Sequence, residues 1–249
     1  MRVMIARYNI GMKFVKYLIF GVVILTATTL LFWRQIAATA GYFYMSEQMS
    51  KNNAATILPI PYTLSTSTFN TVSEITVDNL QLPVLFEEIS SQIGSSSHVV
   101  RGEKMFIWIM NNPIRYRESV LPREKYTDIE YEAMCNAFSL AGRIDACSSE
   151  FNFFKAKFST SPERTRWFSS VNEKVGFSSL GLLKIVYLTG RTESILEFSH
   201  QSARGFILPN QDKTNVVLFL ENGEIYDMIF TGYTQAEIDY TLANIEVIE

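Results

Sequence analysis

Two cysteines and two histidines are the whole supply of thiols and imidazoles in this chain, and their spacing limits the chemistry open to it. Cys135 and Cys147 bracket Gly142, with no Cys-x-x-Cys to lower a thiol pKa for redox exchange. An even pair of this kind in an exported domain reads as a structural disulfide tying two helices. His98 and His200 stand at no ligand spacing with either cysteine and form no His-x-x-x-His pair, so no metal is expected. Ser95–Ser97 lie beside His98, and Ser199 and Ser202 beside His200, yet nothing resembles a nucleophile elbow. The carboxylates of Glu87 and Glu88 are adjacent, and on a helix they would point about 100° apart, the wrong arrangement for a glycosidase pair. The phosphate-cradling Gly-x-x-x-x-Gly-Lys is absent. These residues predict no catalytic group and no cofactor, and the chain is read as not an enzyme. The competing reading is a cell-envelope hydrolase whose site is assembled from scattered Ser, Asp and His residues.

Charge keeps the domain soluble and excludes two classes of partner. Residues 52–249 hold 16 Lys and Arg against 24 Asp and Glu, a net charge of −8, which suits neither nucleic acid nor anionic headgroups. The exception is the stretch Ile114 to Lys125, expected as a polar loop, where Arg115, Arg117, Arg123 and Lys125 gather as a patch for an acidic partner. Glu118 and Glu124 dilute it, so a solvated loop is its plainer reading.

What places all of this is the amino-terminal run Tyr17 to Trp33, 17 residues without a charge. As a helix it covers roughly 25 Å, slightly less than a hydrocarbon core of about 30 Å. Tyr17 and Trp33 have rings suited to the headgroup region, while Leu18 and Phe20 belong to the apolar span. Arg2, Arg7, Lys13 and Lys16 precede it with no acidic residue, and residues 34–51 carry only Arg34 and Lys51 as basic groups. The positive-inside bias therefore predicts a single-pass anchor at 17–33, a cytoplasmic basic tail at 1–16 and export of the rest. A second reading is a cleaved secretory signal, because Ala38-Thr39-Ala40 before Gly41 has the small-x-small form. Both readings export the domain.

The anchor helix is expected to extend to about residue 50, followed by a stalk at 51–73 and one α+β domain at 74–249. Within that domain, Leu82–Ile93 reads as a short amphipathic helix. Val99–Met110 reads as a hairpin turning at Arg101-Gly102. A helical middle follows: one helix from Asp128 stopped by Gly142, one over Ser148–Phe158, and one opened by Ser161-Pro162-Glu163 and running towards Gly176. After Gly181 the pattern becomes extended, with runs at 182–188, 194–200, 205–208, 215–221 and 224–231 separated by short turns, which predicts an antiparallel meander. Asn222-Gly223 suits a two-residue type I′ turn between the last two strands. Thr234 and Glu237 form a capping-box pattern that opens a terminal helix with Ile238, Leu242 and Ile245 on one face, covering the meander.

Residues 216–245, VVLFLENGEIYDMIFTGYTQAEIDYTLANI, resemble the final hairpin and helix of thioredoxin-fold proteins. Upstream the chain departs from that pattern: Cys-x-x-Cys is missing, and Pro209 stands too early to open the penultimate strand. The functional expectation is a membrane-anchored periplasmic binding or accessory protein, such as an immunity protein or an envelope sensor or secretion subunit. Its partners are membrane lipid through the amino-terminal helix and a protein of unknown identity, with no nucleic acid.

Overall fold

The computed structural model describes residues 32–93, 97–112, 115–188, 192–201 and 203–248. In chain order the elements are helix α1 (32–51), strands β1 (Pro59–Pro61), β2 (Ser73–Val77), β3 (Leu80–Val84), β4 (Ser90–Ile93), β5 (Ser97–Arg101) and β6 (Phe106–Asn111), then helices α2 (Tyr116–Val120), α3 (Asp128–Gly142), α4 (Glu150–Ser159) and α5 (Val171–Leu188). Strands β7 (Ile195–His200), β8 (Ala203–Pro209), β9 (Thr214–Leu220) and β10 (Ile225–Thr231), helix α6 (Gln235–Ala243) and strand β11 (Glu246–Val247) complete it. The fold class is α+β.

Eight strands form one mixed sheet in the order β1-β7-β8-β9-β10-β6-β5-β4. β7 to β10 pair consecutively and antiparallel, as their short links require. Only β1 runs parallel to its neighbour, β7. Both faces of the sheet are covered, which is why Phe206, Ile207 and Leu208 in β8 are buried in succession instead of alternating. Phe206, Leu208, Val217, Phe219 and Ile225 face a helical layer that includes Phe138, Phe154 and Phe177. Ile207, Val216, Leu218, Met228 and Phe230 face a second layer built from the small sheet β11-β3-β2 and from α6 through Ile238 and Leu242.

Local signals hold where chain chemistry is decisive. Thr127 and Thr234 each accept a backbone N–H from a glutamate three residues on, and Glu130 and Glu237 reach back to complete capping boxes on α3 and α6. β5 and β6 form the expected hairpin, with Arg101 opposite Phe106.

Four expectations are corrected. The helix over Leu82–Ile93 is instead the end of β3, a turn and β4. Leu80, Leu82 and Val84 are fully buried on the inner face of the small sheet, and β11 reaches only Leu80 and Gln81, so Pro83 sits where a missing N–H is tolerated. The helix opened by Ser161 does not form: residues 161–170 make successive turns, with Thr165 N–H donating to Ser161 O at 3.1 Å, and α5 starts only at Val171. Residues 182–188 finish α5 instead of forming a strand, because Phe177, Leu180, Lys184 and Leu188 recur at helical spacing on its buried face. At the β9–β10 turn only Gly223 has positive φ (89°), and Leu220 pairs with Glu224, giving a three-residue loop with a glycine bulge and not a two-residue type I′ turn.

The segment expected as a stalk is built into the domain. β1 joins the sheet edge, Leu64 is buried, and Tyr62 Oη (2.6 Å) and Ser65 N (2.9 Å) both donate to the buried Asp239 carboxylate in α6. The basic stretch likewise is no free loop, since it carries α2 and a turn of 3₁₀ helix at Arg123–Lys125 around the buried Leu121. The thioredoxin-like ending is present as hairpin and helix, yet it belongs to a four-stranded meander lying next to β6 and β5.

Arg2, Arg7, Lys13, Lys16, Tyr17, Leu18 and Phe20 lie outside the described residues. Among the described residues no helix is long and apolar enough to cross a membrane. Helix α1 is described from residue 32 and ends at residue 51, near the helix end expected at about 50, and it is part of the helical layer: Ala38, Tyr42, Met45 and Met49 recur every third or fourth residue and are buried, whereas Phe43 and Tyr44 are exposed.

Candidate functional site

The helical layer meets the sheet beside the disulfide. Cys135 in α3 bonds Cys147 in the turn before α4, with Cα atoms 5.6 Å apart. Ser149 then caps α4 by accepting the Asn152 N–H at 3.1 Å. This staple fixes the start of α4, where Glu150 and Phe151 sit.

Two of the four basic residues singled out above come together here. Arg115 and Arg117 line a hollow of about 250 Å³ with Glu150, Phe151, Arg204 and Phe219. Arg117 belongs to the interior of this site: its backbone N–H donates to Glu150 Oε2 at 2.9 Å, its guanidinium donates to Cys147 O, and its Nε lies 3.6 Å from Glu150 Oε1. Burial raises the Glu150 pKa, and the Arg117 backbone bond and charge oppose that. Arg115 is exposed and pairs loosely with Glu118 at 3.7 Å. Arg204 comes from β8 and lies 4.5 Å over the Phe151 ring with its side chain open to solvent. The hollow is therefore lined by two exposed arginines, Arg115 and Arg204, by the rings of Phe151 and Phe219, and by Glu221 and Glu224.

Arg123 and Lys125 do not reach it. Arg123 pairs with Asp128 at 2.5 Å and stacks on Tyr131 at 4.2 Å, and Lys125 closes an exposed 3₁₀ turn. The expected patch is thus divided, and its third cation, Arg204, comes from a strand 87 positions beyond Arg117 in the sequence. No local spacing marks it.

The most unusual titratable group is Lys157, which is 4% exposed within α4. Its Nζ lies 3.4 Å from the centroid of Phe154, 4.0 Å from Tyr187 and 4.7 Å from Phe158. Burial drives its pKa well below the ordinary lysine value, against the pull of Asp227. Asp227 in turn accepts from Tyr116 Oη and from Asn112 Nδ2 at 2.9 Å. A low-pKa amine is a competent nucleophile only where a substrate can meet it. The adjoining hollow of about 230 Å³ is walled by Trp108, Tyr116, Tyr187, Asn215 and Asp227, so two tyrosine rings stand between it and the amine. The arrangement leaves the Lys157 amine enclosed by aromatic faces inside the helix–sheet junction. Its position in EFNFFKAKF, three residues after Phe154 and six after Phe151, was the readable sign of a lysine on an apolar face.

The histidines lie apart. His98 is buried in β5 and His200 ends β7, with β8, β9, β10 and β6 between those strands. Among the described residues no three His, Cys, Asp or Glu side chains gather as a metal ion would need.

The chain matches no protein-family model, no curated protein and no solved structure.

Proposed function

We propose that this is a membrane-tethered, extracytoplasmic binding or accessory protein acting through protein–protein contact, in the manner of an immunity protein or a subunit of an envelope sensor or secretion system. In this reading the amino terminus is cytoplasmic, the run at 17–33 is the anchor and the α+β domain is exported. The observation that carries it is α1. Its first turns, which take in the end of the charge-free run, expose Phe32, Trp33 and Ile36, while Ala38, Tyr42, Met45 and Met49 farther along are packed onto the domain. Lys174 Nζ in α5 donates to Thr39 Oγ1 at 2.9 Å, and Tyr42 packs against Phe177 at 5.2 Å between ring centroids. A tether joined this way fixes the height and orientation of the domain, which serves recognition of a neighbour held in the same membrane.

The recognition surface is the hollow between Arg115 and Arg204. Its apolar floor of Phe151 and Phe219 and its paired guanidinium groups fit a protein segment bearing a carboxylate. Affinity capture of the full chain from detergent-solubilised envelopes tests this. The expected result is a stoichiometric partner retained by the wild type and lost from the Arg115→Glu/Arg204→Glu variant at unchanged Tm. Equal recovery by both, or recovery of no stoichiometric partner, counts against the proposal.

A further inference from the structure

Where α1 leaves the domain, a second aromatic pair stands exposed on a different part of the chain. Trp167 (60% exposed) and Phe168 (62%) project from the turns that precede α5, in edge contact at 5.8 Å. Helices α1 and α5 run parallel: Thr39 meets Lys174, Tyr42 meets Phe177, and Met45 lies over Gly181. Those contacts share a sequence offset of about 135, which sets Val171, where α5 begins, level with Ile36, and Trp167 and Phe168 precede Val171 by only four and three residues, at the end of the domain where Phe32 (56%) and Trp33 (55%) lie. Tyr42 Oη donating to Pro162 O at 3.3 Å holds the turns ahead of α5 against α1.

Each pair carries an arginine over a ring. Arg34 lies 5.8 Å over Trp33, and Arg166 lies 5.6 Å over Phe168. The turns at 161–170 carry a single acid, Glu163, against Arg164 and Arg166. Four exposed aromatic rings interleaved with guanidinium groups, next to a charge-free run that ends at Trp33, have the composition of side chains that settle among lipid headgroups, with rings in the acyl boundary and cations at the phosphates.

We infer that the domain rests directly on the bilayer through Trp167 and Phe168, which with Arg34 and Arg166 widen the aromatic end of the anchor, Phe32 and Trp33, into a lipid-binding face. This rests on the tether reading above, and it adds that the domain has a second point of contact and hence a fixed tilt. An anchor alone would leave Trp167 in water.

The test uses full-length protein reconstituted in phosphatidylethanolamine/phosphatidylglycerol vesicles containing lipid brominated near the carbonyl end of the acyl chain. Trp33→Phe/Trp108→Phe leaves Trp167 as the sole tryptophan, and Trp108→Phe/Trp167→Phe leaves Trp33. Lipid contact is expected to quench Trp167 emission at least twofold relative to unbrominated vesicles and to shield it from acrylamide. Quenching of Trp33 with an unquenched, acrylamide-accessible Trp167 overturns the lipid face and leaves the tether standing. Failure to quench either residue overturns both.

Discussion

Arg117 and Arg123 carry the same charge six positions apart and differ in what their removal exposes. Arg117 neutralises a Glu150 carboxyl that is largely shielded from water, so Arg117→Ala leaves an unpaired acid in the interior and should cost about 3 kcal/mol. Arg123 bridges Asp128 in open solvent, and Arg123→Ala should cost less than about 1 kcal/mol. Urea unfolding midpoints of the two variants check the contrast. Lys184 gives a pH signature. Burial, with repulsion from Arg164, lowers its pKa to about 7, from 10.5 for an ordinary lysine. Between those values the unfolded chain binds the extra proton, so this contribution to stability grows with rising pH by at most about 1.4 kcal/mol per unit and is lost as pH falls towards 7. Tyr62 acts above that range. Burial and the Asp239 carboxylate raise its pKa to about 12, so the folded state keeps a proton that the unfolded state has shed, and stability declines from about pH 10 upward. Urea titrations should therefore place maximal stability near pH 10, and Lys184→Met should flatten the rise from pH 7.

At the scale of elements, the helical layer depends on close approach at a few small residues. A Cβ at Gly176 would fall 2.0 Å from the Ala137 carbonyl oxygen, where α5 crosses α3. Backbone cannot yield as a flexible side chain can, so Gly176→Ala should destabilise the domain by about 2–3 kcal/mol despite the better helix propensity of alanine, measurable as a lowered Tm. This glycine reads in the sequence as a helix end, and in the structure it lies inside α5. The disulfide works on the unfolded chain. Closing a loop over a sequence separation of 12 contributes about 3 kcal/mol, so the Cys135→Ala/Cys147→Ala variant should lose roughly that much, while reduction should leave the native secondary structure in place at moderate temperature. Circular dichroism melts with and without reductant follow both effects.

For the whole molecule, one prediction joins compartment to fold. If the domain is exported, its two thiols are already paired in the cell. Protein taken directly into a maleimide reagent should then add no label before reduction and two labels after it, read by mass. Labelling of both thiols without reduction would remove the compartment argument and the proposed tether with it. Much of the architecture follows from chain-local chemistry. The start of α3 near Asp128, the cap at Thr234, the meander of β7 to β10 and the Cys135–Cys147 pair each rest on residues close in sequence, where backbone hydrogen bonding and turn geometry act directly. Tertiary contact decided the remainder. It made Leu182–Leu188 helical by burying Lys184 and Leu188, divided Leu82–Ile93 between a strand of the small sheet and an edge strand of the large one, and drew the expected stalk into the domain through Asp239. It also split the basic patch, joining Arg115 to Arg204 and leaving Arg123 with Asp128. Apolar residues at short spacing satisfy a helix and a buried strand almost equally, and only the area each buries against distant partners separates the two.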